Sequence, residues 1–90
     1  MTDADAIDYV QRAMGAMQNA AVQFSLMELG GGRWDAKVLN LSTGALCYWR
    51  SQPETRAEAL SFAVADVLDM LRTDFDFPDL LAEGTALLGA

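Results

Sequence analysis

Between Asp3 and Asn19 the apolar residues Ile7, Val10, Met14 and Met17 recur at intervals of three and four, with Ala6, Ala13 and Ala20 alongside. This spacing predicts one stripe of an amphipathic helix. Asp3 or Asp5 is the expected cap of its first turn, where a carboxylate also meets the positive end of the helix dipole. Gly15 lies inside the pattern at a propensity cost of about 1 kcal/mol relative to alanine, and its small size would allow close approach of another element.

After Asn19 the period falls to two. Val22, Phe24 and Leu26, continued by Glu28, alternate with Gln23, Ser25, Met27 and Leu29, which predicts a strand that becomes apolar on both faces before Gly30-Gly31-Gly32 ends it. Trp34, Ala36, Val38 and Asn40 then alternate with Asp35, Lys37, Leu39 and Leu41 in a second strand. Ser42-Thr43-Gly44 is the expected turn, with glycine supplying a positive φ. Leu46, Tyr48 and Arg50 alternate with Ala45, Cys47 and Trp49 in a third strand. On this pattern Trp34 and Tyr48 share the inner face of a three-stranded antiparallel meander, and Trp49 lies on the outer face with Cys47 and Leu39 or Leu41.

Gln52-Pro53-Glu54 interrupts the strand pattern. Thr55-Arg56-Ala57-Glu58 follows, with the spacing of a capping box, directly before the stripe Leu60, Val64, Val67, Leu68 and Leu71. A helix from Arg56 to Arg72 or Thr73 is predicted, with Glu58, Asp69 and Arg72 on its wet side. Pro78 suits the first turn of a short third helix, capped by Asp76 or Asp79 and ending near Gly84 or Leu88. The expected fold is therefore α+β: two helices on a three-stranded antiparallel sheet, in the order αβββα, with a short C-terminal helix. Residues 1–90 form one domain on this reading, in which 74–90 is a loosely attached helix or tail.

Charge narrows the functional classes. Thirteen carboxylates face six basic side chains, for a net charge of -7, with no histidine and one cysteine. Affinity for a phosphate backbone rests on clustered cations, so no direct nucleic-acid partner is expected. The commonest metal ligand and general base is missing, and no cofactor, metal or catalytic residue is assigned. Cys47 cannot form an internal disulfide and has no histidine to activate it, which fits a structural thiol in a reducing compartment. No apolar run reaches membrane-spanning length, and Met1-Thr2-Asp3-Ala4-Asp5 is acidic where a secretory leader is basic, so a cytoplasmic protein without membrane contact is expected.

Two patterns resemble sites and fall short. The triple glycine precedes a strand and lacks a following lysine and hydroxyl, so it reads as a hairpin loop before a phosphate cradle. Asp74-x-Asp76-x-x-Asp79 lacks the glycine and terminal glutamate of a calcium loop and is interrupted by Phe75, Phe77 and Pro78. Solvation and helix capping account for these carboxylates more simply.

What remains is recognition of another protein. Asp66, Asp69, Asp74 and Asp76 crowd the C-terminal quarter around a single Arg72, a field suited to a basic partner surface. Trp49, Leu39, Leu41 and Met27 are surplus to a sheet covered on one side, and they form either an exposed interface or a surface covered by Phe75, Phe77, Leu80 and Leu81. The leading expectation is a non-enzymatic protein-binding module, an inhibitor or adaptor of a larger complex. A self-associating homodimer and a small carboxylate-dependent enzyme are the alternatives.

The order helix, three-stranded meander, capped helix over about Asp5 to Arg72 resembles double-stranded-RNA-binding domains. The resemblance implies a basic cluster at the start of the second helix, where this chain has Glu54, Arg56 and Glu58. In size, acidity and make-up the chain also resembles small phage or mobile-element inhibitors, anti-CRISPR proteins among them. That likeness implies a protein target.

Overall fold

A computed structural model describes residues 1–19, 21–31, 33–44, 46–48 and 55–89. Along the chain run α1 (Asp3–Gln18), β1 (Val22–Gly30), β2 (Arg33–Asn40), β3 (Leu46–Tyr48), α2 (Arg56–Asp74) and α3 (Pro78–Gly89). The strands form one antiparallel sheet in the order β1-β2-β3. Helices α1 and α2 pack on its inner face and against each other, and α3 packs on α1 and α2. The α+β architecture expected from the periodicity is the one observed.

Helices α1 and α2 begin where their orphan amides find a side-chain acceptor. Thr55 Oγ1 accepts the Glu58 amide at 3.1 Å, as the capping-box spacing predicts. At α1 the cap is Thr2, not Asp3 or Asp5: Thr2 Oγ1 accepts the Asp5 amide at 3.1 Å, and both aspartates fall inside the first turn. The same threonine-to-N3 geometry starts both helices. Asn19 closes α1 in the left-handed region, with φ 50° and its N–H on the Gly15 carbonyl. Helix α3 starts at Pro78, so Phe77 occupies its cap position and the expected capping by Asp76 or Asp79 does not occur. Asp79 sits in the first turn instead, and the first intrahelical bond runs from the Leu81 amide to the Phe77 carbonyl.

The core lies between the sheet and the helical layer. Ala6, Tyr9, Val10, Ala13 and Met14 from α1 meet Leu60, Ala63, Val64, Val67, Leu68 and Leu71 from α2. Among the described residues, Phe24 and Val38, paired across β1 and β2, are the buried side chains that the sheet supplies. Helix α2 buries seven side chains because it touches α1, the sheet and α3 at once. Gly84 does not end α3 but is buried in its middle, directly against Tyr9 and Leu68. The close approach imagined for a glycine of α1 occurs there.

The connection between β2 and β3 sets a register that alternation alone misassigns. Asn40 Oδ1 accepts the amides of Ser42 at 2.9 Å and Thr43 at 3.3 Å, and the Gly44 amide returns to the Asn40 carbonyl at 2.8 Å with Gly44 at φ 73°. Leu46 consequently stands opposite Leu39, Cys47 opposite Val38 and Tyr48 opposite Lys37. Alternation puts Tyr48 in phase with Trp34 and Cys47 in phase with Leu39, whereas the backbone register sets Tyr48 level with Lys37 and Cys47 level with Val38. Connection length determines strand parity, and one residue of offset moves every position to the other face. Trp49 lies outside the described residues.

Candidate functional site

The carboxylates singled out in the sequence belong to the helical layer. Phe62, Asp66, Asp69 and Thr73 follow one another at helical spacing on the outward side of α2, opposite its buried stripe. Phe62 is 40% exposed, Asp66 half-buried and Asp69 exposed. Arg72 lies 3.9 Å from Asp69, and the Thr73 hydroxyl donates to the Asp69 carbonyl at 2.8 Å. Asp74 is the last residue of α2, Phe75 continues in extended conformation, and Asp76 precedes Phe77 and the Pro78 start of α3. The rings of Phe75 and Phe77 stack with centroids 5.9 Å apart and planes 15° from parallel. Phe77 reaches the core, while Phe75 remains 39% exposed.

This junction concentrates negative potential beyond what counting charges suggests. The C-terminal end of a helix carries about half a negative elementary charge from its unsatisfied carbonyls. Asp69 and Asp74 add carboxylates at that end of α2, the arrangement least favourable to the helix itself, and Asp76 follows two residues on. Between Asp69 and Asp79 four carboxylates face one cation, Arg72. Asp74, Asp76 and Asp79 do not converge as a metal-ligating set; among the described residues no three such side chains do.

Two other cations are committed to holding elements together. Arg12 donates Nε to Asp8 at 2.8 Å, and both terminal nitrogens to Glu83, Nη1 at 3.0 Å and Nη2 at 2.5 Å, fastening α1 to α3. Arg56 pairs with Asp3 and lies 5.7 Å from the Trp34 ring centroid. Sequence reasoning missed the Arg12–Glu83 pair because its partners are 71 residues apart; only α1's Asp8–Arg12 spacing hinted at an ion pair.

The Arg12 network gives a pH signature. Hydrogen bonding to Arg12 lowers the Glu83 pKa below the ordinary carboxylate value. A lowered folded-state pKa stabilises the fold above the unfolded-state value, and that contribution is lost as pH falls through the folded one. Because both side chains are more than 40% exposed, the effect is at most about 1 kcal/mol. Glu83→Gln should therefore lower stability near neutrality by that amount and flatten the acid limb of a denaturation series below the ordinary carboxylate range. An unchanged acid limb would show that the pair contributes nothing.

The apolar candidates lie elsewhere. Leu39 is half-buried on the sheet's outer face, and Leu41, 56% exposed, belongs to the turn, its amide on the Ala21 carbonyl at 2.9 Å. Asp66, Asp69, Asp74 and Asp76 are thus not brought together with Leu39 and Leu41. The covering of the outer face by Phe75, Phe77, Leu80 and Leu81 does not occur: Phe77, Leu80 and Leu81 are packed into the core from the helical side. Among the described residues, no helix is long and apolar enough to cross a membrane.

Comparison of the chain with protein-family models, curated proteins and solved structures found no match.

Proposed function

We propose that this chain is a non-enzymatic protein-binding module, an inhibitor or adaptor, whose acidic α2–α3 junction engages a basic surface on another protein. The observation that carries this is the exposed Phe75 held between Asp74 and Asp76 at the carbonyl end of α2. A half-exposed aromatic among carboxylates offers apolar contact at its centre and charge at its rim, the anatomy of a protein interface. The helix end adds its partial charge to theirs, so a lysine or arginine side chain meets a stronger field here than at isolated surface carboxylates.

The order of elements shared with double-stranded-RNA-binding domains does not redirect this proposal. Such a domain needs cations at the start of its second helix. In this chain Arg56, at that position, is engaged with Asp3 and Trp34, and Glu58 follows it in the first turn.

Affinity capture from a native extract, comparing the wild-type chain with Asp69→Asn/Asp74→Asn/Asp76→Asn, is the test. Captured protein should fall by at least about tenfold, since each charge lost from a complementary interface slows association and weakens binding. Circular dichroism should report an unchanged fold, because all three side chains are exposed. Capture that survives the triple substitution would overturn the electrostatic proposal.

A further inference from the structure

The outer face of the β1-β2-β3 sheet is built differently from the rest of the surface. None of the three helices packs on it, while Met27, at an outward position of β1, is 45% exposed and Leu29, at the irregularity before Gly30, is 57% exposed. Its charge also departs from that of the chain. Against a net charge of -7, the outward positions of β1 and β2 hold one carboxylate, Asp35, together with Lys37 and Arg33. Asp35 and Lys37 form a half-buried pair, Oδ2 to Nζ 3.6 Å, next to Leu39.

We propose that this face is the interface between two copies of the chain, meeting sheet to sheet about a two-fold axis that crosses β2 at the level of Ala36. An isologous interface must be its own complement. Such an axis reverses β2 over its mate, so Asp35 faces Lys37 of the second copy and Lys37 faces Asp35 of the second copy. On β1, whose Met27 and Ser25 are level with Asp35 and Lys37, the same operation lays Met27 over Ser25. A minus-plus alternation centred on Ala36 matches its own reversal. Two bodies of charge -7 repel through their acidic surfaces, and this face lets them approach without opposing carboxylates.

Size sets the expected strength. Nine residues of β1, eight of β2 and three of β3, at ~3.4 Å rise and ~4.8 Å strand spacing, give a face of about 330 Å² per copy. Twice that area falls below the roughly 1,200 Å² of a standard interface, so the dimer is weak and reversible and is populated toward the upper end of a concentration series. The surface is separate from the acidic junction, so this proposal and the proposed function stand or fall independently.

Sedimentation equilibrium on the full chain, from about 1 to about 300 µM, is the measurement. A monomer–dimer equilibrium is expected, and a monomer throughout would overturn the proposal. Asp35→Lys and Lys37→Asp should each weaken self-association at least about tenfold, whereas an equimolar mixture of the two variants should associate again, because each supplies the charge that the other lacks. Failure of the mixture to associate would refute the charge pairing about Ala36. Met27→Lys, at an exposed position that leaves the core untouched, should abolish the dimer with the fold retained by circular dichroism. A dimer that persists in this variant would place the interface elsewhere and overturn the assignment.

Discussion

Replacing Gly84 by alanine is expected to destabilise the protein by about 2–3 kcal/mol, read as a lower urea midpoint with an unchanged slope. A β-carbon there falls on the Tyr9 hydroxyl and comes within 2.7 Å of Tyr9 Cζ and 2.8 Å of Leu68 Cδ2. Neither neighbour can retreat: Tyr9 is fully buried, and Leu68 is 2% exposed in the α1–α2 core. The Tyr9 hydroxyl also donates to the Leu80 carbonyl at 2.7 Å, so the side chain that forbids the methyl group is the one that anchors α3.

That coupling separates overpacking from a simple loss of helix contacts. Tyr9→Phe should cost about 1 kcal/mol for the lost hydrogen bond. Gly84→Ala should then cost less when combined with Tyr9→Phe than in the wild type, because the clash with the hydroxyl oxygen is gone. Strict additivity would refute the packing account. Tyr9 also predicts an alkaline limb. Burial, with a smaller contribution from Glu83, raises its pKa above the ordinary phenol value. A raised folded-state pKa stabilises the fold below the unfolded-state value and is lost as pH rises through the folded one. Stability should therefore fall above about pH 10, and Tyr9→Phe should remove that fall.

How much of this is legible in the chain depends on whether each feature is local. The Thr55 cap, the α2 stripe and the alternation of β1 are set by residues within a few positions of one another, and they occur where the periodicity places them. Thr2 escapes a sequence reading because Asp3 and Asp5 look equally able to cap; the choice rests on which residue precedes the first helical turn. Asn40 fits the strand alternation, yet its side chain builds the turn that fixes the parity of β3. The Gly84–Tyr9 contact and the Arg12–Glu83 pair join opposite ends of the chain, and no local spacing encodes them. For the candidate site, the periodicity places Asp66 and Asp69 on α2, while α2 runs on to include Asp74, which the pattern assigns to the tail; the pattern gives no reason to separate these carboxylates from Leu39 and Leu41, which the fold assigns to the other layer. Layer membership depends on how the helices close over the sheet, and α3 closed over helices.

The sheet itself provides the sharpest contrast between a structural face and one available for recognition. Phe24 is the one buried residue of β1, and it stands opposite Val38, which is 1% exposed. Phe24→Ala should cost about 3–5 kcal/mol, a large fraction of the roughly 5–13 kcal/mol available to a domain of this length, and guanidinium unfolding should show the variant partly unfolded without denaturant or nearly so. On the opposite face of the same strand, Met27→Ala should cost less than about 1 kcal/mol, because its side chain is 45% exposed and none of the three helices rests on it. Equal losses at the two positions would mean that the outer face is held by the fold and is not free to meet another molecule. If the costs differ as expected, the apolar character of Met27 is not explained by stability of the single chain, which favours the proposed self-association at a sheet face whose outward positions on β1 and β2 carry one carboxylate and two cations in an otherwise acidic protein.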